Sequence, residues 1–278
     1  MASFSSDDLP HRIGTESAKW NSPLLITGCA RSGTSALARL LSTHDRICIF
    51  NEYSLYSPPV LEESVWHRVR GMRDDNPPPR KISENTASLK ESFLRELPRP
   101  ACDQTTRDWL FGRLQNPVQA YGDKMPYRYL EIMEETVQRF PGARFLLTLR
   151  DGRAVVASQM REYRHAVECG VEPDRWMQAT VHEAEYLWLR SVKKWLSLRA
   201  NPPAPCLEIR YEEATRSPAD IAKRICEFVG MEYRAEEFQG FLKSYRPVHD
   251  DSWRDEIPDM EAQLSEEFRD ALGQLGYR

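Results

Sequence analysis

Much that would place this 278-residue chain in a familiar class is missing from it. No apolar run approaches the ~20 residues of a membrane-spanning helix, so no membrane span is expected. Residues 1–21 are polar, lack the apolar centre of a secretory signal, and read as a flexible leader. The six cysteines, at 29, 48, 102, 169, 206 and 226, include no Cys-x-x-Cys pair. Metal or disulfide use is therefore not expected, and they read as small buried hydrophobes in a reducing, cytoplasmic setting. An excess of positive charge is also missing: 38 Lys and Arg face 42 Asp and Glu, for a net charge of −4. That balance argues against a general nucleic-acid binder, so any basic site must be local. No internal repeat is visible.

What is present suits one large α/β domain from residue 22 to 278, with 41% hydrophobic residues to fill its core. Leu24-Leu25-Ile26-Thr27 is a short apolar run of the kind a parallel sheet buries on both faces. Gly28 and Gly33 then bracket a turn in which backbone N–H groups can converge on an anion. The helix that follows, through Leu37, Leu40 and Leu41, points its positive end at the same spot. The stretch is a phosphate cradle. It departs from the Gly-x4-Gly-Lys-Ser/Thr pattern of nucleotide triphosphatases in one position: Gly28, Gly33 and Ser35 match, but Thr34 stands in place of the lysine. The cation lies inside the loop instead, at Arg31.

Further strands are predicted at Arg46–Phe50, Gln119–Gly122, Arg144–Leu149 and Cys206–Arg210. Helices are predicted over Tyr127–Phe140, after Arg150, and over Asp174–Arg199, the last with Trp176, Trp188 and Trp195 on one face. Ser217 is expected to cap another helix, with Pro218 in its first turn and Gly230 ending it. Residues 53–118 read as helical segments (60–70, 87–97, 105–115) around a proline-rich loop, a long excursion suited to covering a substrate. Its Arg68, Arg70, Arg73, Arg80 and Lys81 leave room for an acidic acceptor or for a merely solvated face. The order argues for an α/β three-layer sandwich: a central, mainly parallel sheet of about five strands with helices on both faces.

Ligands of such sheets gather beyond the carboxyl ends of the strands. The cradle, Glu52, Lys124, Arg150 and Tyr211 follow the five predicted strands in turn. Arg150 and Ser158 are two helical turns apart, a spacing that lets a guanidinium and a hydroxyl grip one phosphate. Blander readings stand beside these. Arg150 can pair with Asp151 or Asp123, Ser158 can be a packing residue, Lys124 can bridge to Asp123 or Glu131, and Glu52 can be an exposed charge.

Arg31-Ser32-Gly33-Thr34, Arg150-Asp151-Gly152-Arg153 with Ser158, and Tyr121-Gly122-Asp123-Lys124-Met125-Pro126 resemble motifs of one family. It is that of P-loop-fold sulfotransferases using 3′-phosphoadenosine 5′-phosphosulfate (PAPS), in particular its bacterial-type and tyrosylprotein branches. Tyr211-Glu212 with Ser217-Pro218, and His44-Asp45 through Asn51-Glu52, are similar to further segments of it. The resemblance implies that Glu52 is the general base and that Lys124 and Arg31 act at the leaving group. It further implies that Arg31, Ser32, Gly33, Thr34 and Ser35 bind the 5′-phosphosulfate, and that Arg150, Ser158 and Tyr211 hold the 3′-phosphate. The product nucleotide would be adenosine 3′,5′-bisphosphate, no metal would be needed, and the acceptor would be a hydroxyl of a peptide tyrosine, a carbohydrate or a small molecule. Two departures stand out. Asp45 replaces the proline of the usual His-Pro, and a serine near the C-terminus has only Ser252 as a counterpart. A metal-dependent, kinase-like phosphoryl transferase and a non-catalytic nucleotide-binding protein remain the rival readings.

Overall fold

A computed structural model describes residues 22–44, 46–52, 56, 120–242 and 253–277. The leader 1–21, the excursion 53–118 apart from Tyr56, Asp45, Gln119 and Ser252 lie outside the described residues. Five strands form one sheet: β1 (Leu24–Gly28), β2 (Ile47–Asn51), β3 (Ala120–Lys124), β4 (Arg144–Leu149) and β5 (Cys206–Arg210). Every neighbouring pair is parallel, in the order β2-β3-β1-β4-β5. The α/β sandwich expected from the sequence is what the chain forms.

Side chains alternate across the sheet, and the two faces gather separate cores. Leu24, Ile26, Ile47, Ile49, Leu146 and Ile209 face one side. There they meet α1 (Thr34–Leu41), α7 (Pro218–Val229) and α8 (Ala235–Leu242). Leu25, Phe50, Phe145, Leu147 and Leu149 face the other. Those pack on α2 (Arg128–Glu131), α3 (Met133–Arg139), α4 (Gly152–Glu168) and α5 (Val181–Arg199). The C-terminal helices α9 (Trp253–Glu256), α10 (Met260–Gln263) and α11 (Glu266–Gln274) close the same side, and α6 (Tyr211–Arg216) follows β5 directly. Burial of apolar side chains at ~25 cal/mol per Å² is the main force joining these layers.

The strand expected over Gln119–Gly122 runs on to Lys124, which ends β3 rather than following it. Three helices also differ from the sequence expectation. The helix expected over 127–140 is two pieces, stepping at Ile132, where φ is −102° and ψ 23°. Its first turn answers to its neighbours: Leu130 N–H donates to Thr27 Oγ1 of β1 at 3.1 Å, and Glu131 pairs with Arg190 of α5 at 2.8 Å. The helix expected from Asp174 starts at Val181, because Thr180 and Glu183 form a reciprocal capping box. Trp176 is thereby left in a loop rather than on the helical face. Ser217 occupies the cap position of α7 but makes no side-chain cap bond, whereas Gly230 ends that helix at φ 75° as expected.

The chain leaves β1 toward β3 and β2 on one side and later places β4 and β5 on the other. Neighbouring strand ends part at β1, which is where such sheets form a binding crevice. No helix among the described residues is long and apolar enough to cross a membrane.

Candidate active site

The loop after β1 is built by its own backbone. Gly28 has φ 142° and Gly33 φ 95°, and Arg31 lies in the left-handed region at 73°. A Cβ on Gly28 would fall 2.4 Å from the Thr148 carbonyl oxygen, and one on Gly33 would fall 2.5 Å from the Tyr211 ring. Glycine is thus required at both positions. Ser32 Oγ donates to the Cys29 carbonyl at 2.6 Å and lies 2.8 Å from Thr148 Oγ1, so this buried serine braces the loop. Thr34 and Ser35 open α1, whose N-cap Gly33 provides no side-chain cap. The first N–H groups of that helix are left to whatever anion the loop holds.

Arg31 projects toward α4. Its Nε donates to Ser158 Oγ at 2.9 Å and its Nη2 meets Glu162 at 2.7 Å, while the guanidinium lies 5.3 Å from the centre of the Trp176 ring. Arg161 Nη2 donates to the same Ser158 hydroxyl at 3.3 Å. Arg150, at the end of β4, donates from Nη1 to the Arg31 carbonyl at 3.1 Å, and its guanidinium lies 4.2 Å from the centre of the Tyr211 ring. Asp151, offered by the sequence as an alternative partner for Arg150, instead holds Arg153 at 2.7 Å. Burial holds the Arg31 pKa below its ordinary value; Glu162 opposes this, and the like charges of Arg161 and Arg150 add to it. Both cations that reach the Ser158 hydroxyl are also paired with carboxylates, Arg31 with Glu162 and Arg161 with Glu256.

Glu52 and Lys124 form the second group. Lys124 is the last residue of β3, its side chain 1% exposed, and Nζ donates to Glu52 Oε1. Glu52 follows β2 with φ 65°, held there by its own N–H, which donates to the Lys124 carbonyl at 2.7 Å. A non-glycine residue in that region is disfavoured by ~1–2 kcal/mol and persists only where its surroundings fix it. The Glu52 side chain is 32% exposed. Burial lowers the Lys124 pKa, against which Glu52 and Asp123 raise it and Arg39 lowers it. The two groups share an edge with the loop: Tyr127 N–H, just past β3, donates to the Gly28 carbonyl at 2.6 Å.

The structure therefore joins Arg31 to Ser158, places Arg150 and Tyr211 against the loop, and pairs Glu52 with Lys124. Sequence reasoning missed Arg161, Glu162 and Trp176. Arg161 lies three residues after Ser158 on one helix, a spacing that shares a face. Thr180-x-x-Glu183 was the signal that would have released Trp176 to the loop. His44, of the His-Asp pair, is buried away from these groups; its Nδ1 accepts the Arg46 N–H at 3.0 Å and its Nε2 lies 2.5 Å from Glu237.

Cys29 is buried beneath the loop and its thiol is pushed up to about 12, chiefly by burial. Cys169 is exposed, contrary to the expectation of uniform burial. A thiol-alkylating reagent at neutral pH is expected to label Cys169 and spare Cys29 in the native protein, as read by peptide mass mapping. Rapid labelling of Cys29 would show that its thiolate is reachable.

A parallel sheet with a glycine loop after its central strand, and cations at the adjoining strand ends, defines an α/β protein of the phosphate-loop kind. The model of the sulfotransferase family matches residues 23–235, and the chain belongs to that family. A Caenorhabditis briggsae protein named "Putative protein-tyrosine sulfotransferase" is 27% identical over 211 residues, 76% of this chain and 66% of that protein. The chain thus spans just under two thirds of that relative. The sulfotransferase domain of the Synechococcus PCC 7002 olefin synthase shares the fold, with a TM-score of 0.60 and 19% identity. That match covers 92% of this chain and 95% of the domain. The sulfotransferase domain of the curacin biosynthetic pathway is similar at a TM-score of 0.57 and 18% identity, over 92% and 98% of the two chains.

Proposed function

We propose that this chain transfers a sulfuryl group from PAPS to a hydroxyl acceptor, with Glu52 as the general base. The observation that carries the reading is the Glu52–Lys124 pair beside a phosphate loop, with a separate cationic group at Ser158. The loop N–H groups and the N-terminus of α1 would take the 5′-phosphosulfate. Arg150, Ser158 and Arg161 would take the 3′-phosphate, and Arg31 stands between the two positions. A small, mainly apolar hollow lined by Gly33, Leu37, Leu40 and Tyr211 adjoins the loop, and in this reading the adenine lies on that side.

In the reaction, Glu52 accepts the acceptor's hydroxyl proton as that oxygen forms its bond to sulfur. The bond from sulfur to the bridging phosphate oxygen breaks, and its electron pair stays on the phosphate. Lys124, Arg31 and the loop N–H groups oppose the charge that develops there. Such in-line transfer follows the logic of phosphoryl transfer, where positioning and electrostatics dominate. A tyrosine-containing peptide is the first acceptor to try, because the Caenorhabditis relative is named for that residue.

The test is incubation of the full chain with labelled PAPS and a panel of peptides, carbohydrates and phenols, with Mg²⁺ or with a chelator. Transfer of label to a hydroxyl in the presence of chelator is the expected result. Mg²⁺-dependent phosphorylation from ATP, with no transfer from PAPS, would overturn the reading, as would nucleotide binding with no transfer to any acceptor.

A further inference from the structure

Strands β4 and β5 end side by side, with Leu149 opposite Arg210 in the ladder. The peptide group between Arg150 and Asp151 therefore lies just beyond the paired residues. It is held by side chains at both of its polar ends. The Arg150 carbonyl accepts Trp188 Nε1–H of α5 at 3.3 Å, and the Asp151 N–H donates to Glu212 Oε1 of α6 at 2.8 Å. The carbonyl and N–H of a trans peptide point in opposite directions, so the two bonds fix the plane of this group between two helices. The Asp151 carboxylate takes no part in this, because it is engaged with the Arg153 N–H at 2.9 Å and the Arg153 guanidinium at 2.7 Å.

The clamping side chains are themselves held. Trp188 is buried and packs on Phe268 of α11, with ring centres 4.5 Å apart. Glu212 Oε2 accepts the Tyr277 hydroxyl at 3.2 Å, and the Tyr277 N–H is tied to the Leu272 carbonyl at 2.9 Å. A buried peptide asks only for some partner at each end. What singles out this one is its place beside the Cα that carries the Arg150 side chain. Adjacent residues of α6 grip the same arginine twice, Tyr211 under the guanidinium at 4.2 Å and Glu212 on the backbone.

We propose that Glu212 and Trp188 are positioning residues for the second phosphate. By fixing the Arg150–Asp151 peptide they set the aim of the Arg150 guanidinium, and with it the preference for a nucleotide phosphorylated at the 3′ position. The proposal rests on the reading of Arg150 as a ligand of that phosphate. A small rotation of the peptide swings the end of so long a side chain, and a planar fork that recognises phosphate by its geometry tolerates little misplacement.

Calorimetry on the full chain, with adenosine 3′,5′-bisphosphate and with AMP, tests this. Glu212→Ala is expected to weaken bisphosphate binding about tenfold and AMP binding by less than about twofold. Glu212→Gln keeps an acceptor oxygen for the Asp151 N–H and is expected to recover most of the loss. Trp188→Phe removes the indole donor, keeps an aromatic ring in the core, and is expected to give a selective loss of about threefold. In an Arg150→Ala background, Glu212→Ala is expected to cost nothing further, because the clamp acts through that arginine. Equal losses for the two nucleotides, as a merely structural role would give, overturn the proposal. So do unchanged bisphosphate affinity in the clamp variants and a further loss in the Arg150→Ala background. Should Glu212→Ala not fold, Trp188→Phe decides by the same criteria. Should Arg150 not bind the phosphate, that failure appears in Arg150→Ala alone, as an undiminished preference for the bisphosphate.

Discussion

Glu52→Gln is expected to lower single-turnover transfer by about two to four orders of magnitude, with donor binding unchanged. The substitution keeps the side chain's shape and an acceptor oxygen for Lys124, and removes the negative charge together with the capacity to take a proton. Because Glu52 also supports the Lys124 charge, a second cause of the loss has to be separated from the first. The pH dependence does so. Lys124 is more fully charged at lower pH, so a defect acting through Lys124 shrinks as pH falls, whereas loss of the base persists. A rate for the variant equal to the parent's, at saturating donor and with a working acceptor, would remove Glu52 from the mechanism.

Arg150→Ala is expected to weaken binding of adenosine 3′,5′-bisphosphate by about ten- to a hundredfold and that of AMP much less. A charge-assisted hydrogen bond contributes ~1.5–3 kcal/mol, which sets that range. Arg150 also braces the loop through the Arg31 carbonyl and stacks on Tyr211. If bracing were its whole role, both nucleotides would lose affinity equally, so calorimetry with the pair distinguishes the two. Arg150→Lys should recover only part of the preference, since an ammonium retains charge but not the planar fork. Equal losses for the two nucleotides would defeat the assignment of a second phosphate position.

The strands were legible because a buried parallel sheet demands short apolar runs, and Arg144–Leu149 and Cys206–Arg210 appear at the expected bounds. The loop was legible because Gly28 and Gly33 are placed where backbone geometry admits little else. The pairing of Glu52 with Lys124 was harder to see. Glu52 follows β2 and Lys124 ends β3, and only the adjacency of the two strands brings them together, a fact of register that no local pattern encodes. The positive φ of Arg31, Glu52 and Tyr127 was invisible for a related reason: tertiary contacts hold these residues where their intrinsic preferences would not. Asp123 read as a possible surface partner for Lys124 because strand interiors seldom hold carboxylates, and Tyr129, the donor that accommodates it there, arrives from the next helix.

The pairing of β2 with β3 has a further consequence. The two strands are parallel, so the chain leaves β2 at Asn51, opposite Lys124, and re-enters β3 at Ala120, opposite Ile47 at the other end of the ladder. The stretch between them has to travel back along the sheet, as any parallel crossover must. Only its departure lies at the edge that carries Glu52 and the phosphate loop. Each doubling of a connection adds only ~0.6 kcal/mol of closure entropy, so its length and composition are open to change at small thermodynamic cost. The ladder that holds Glu52 against Lys124 is indifferent to what the crossover contains.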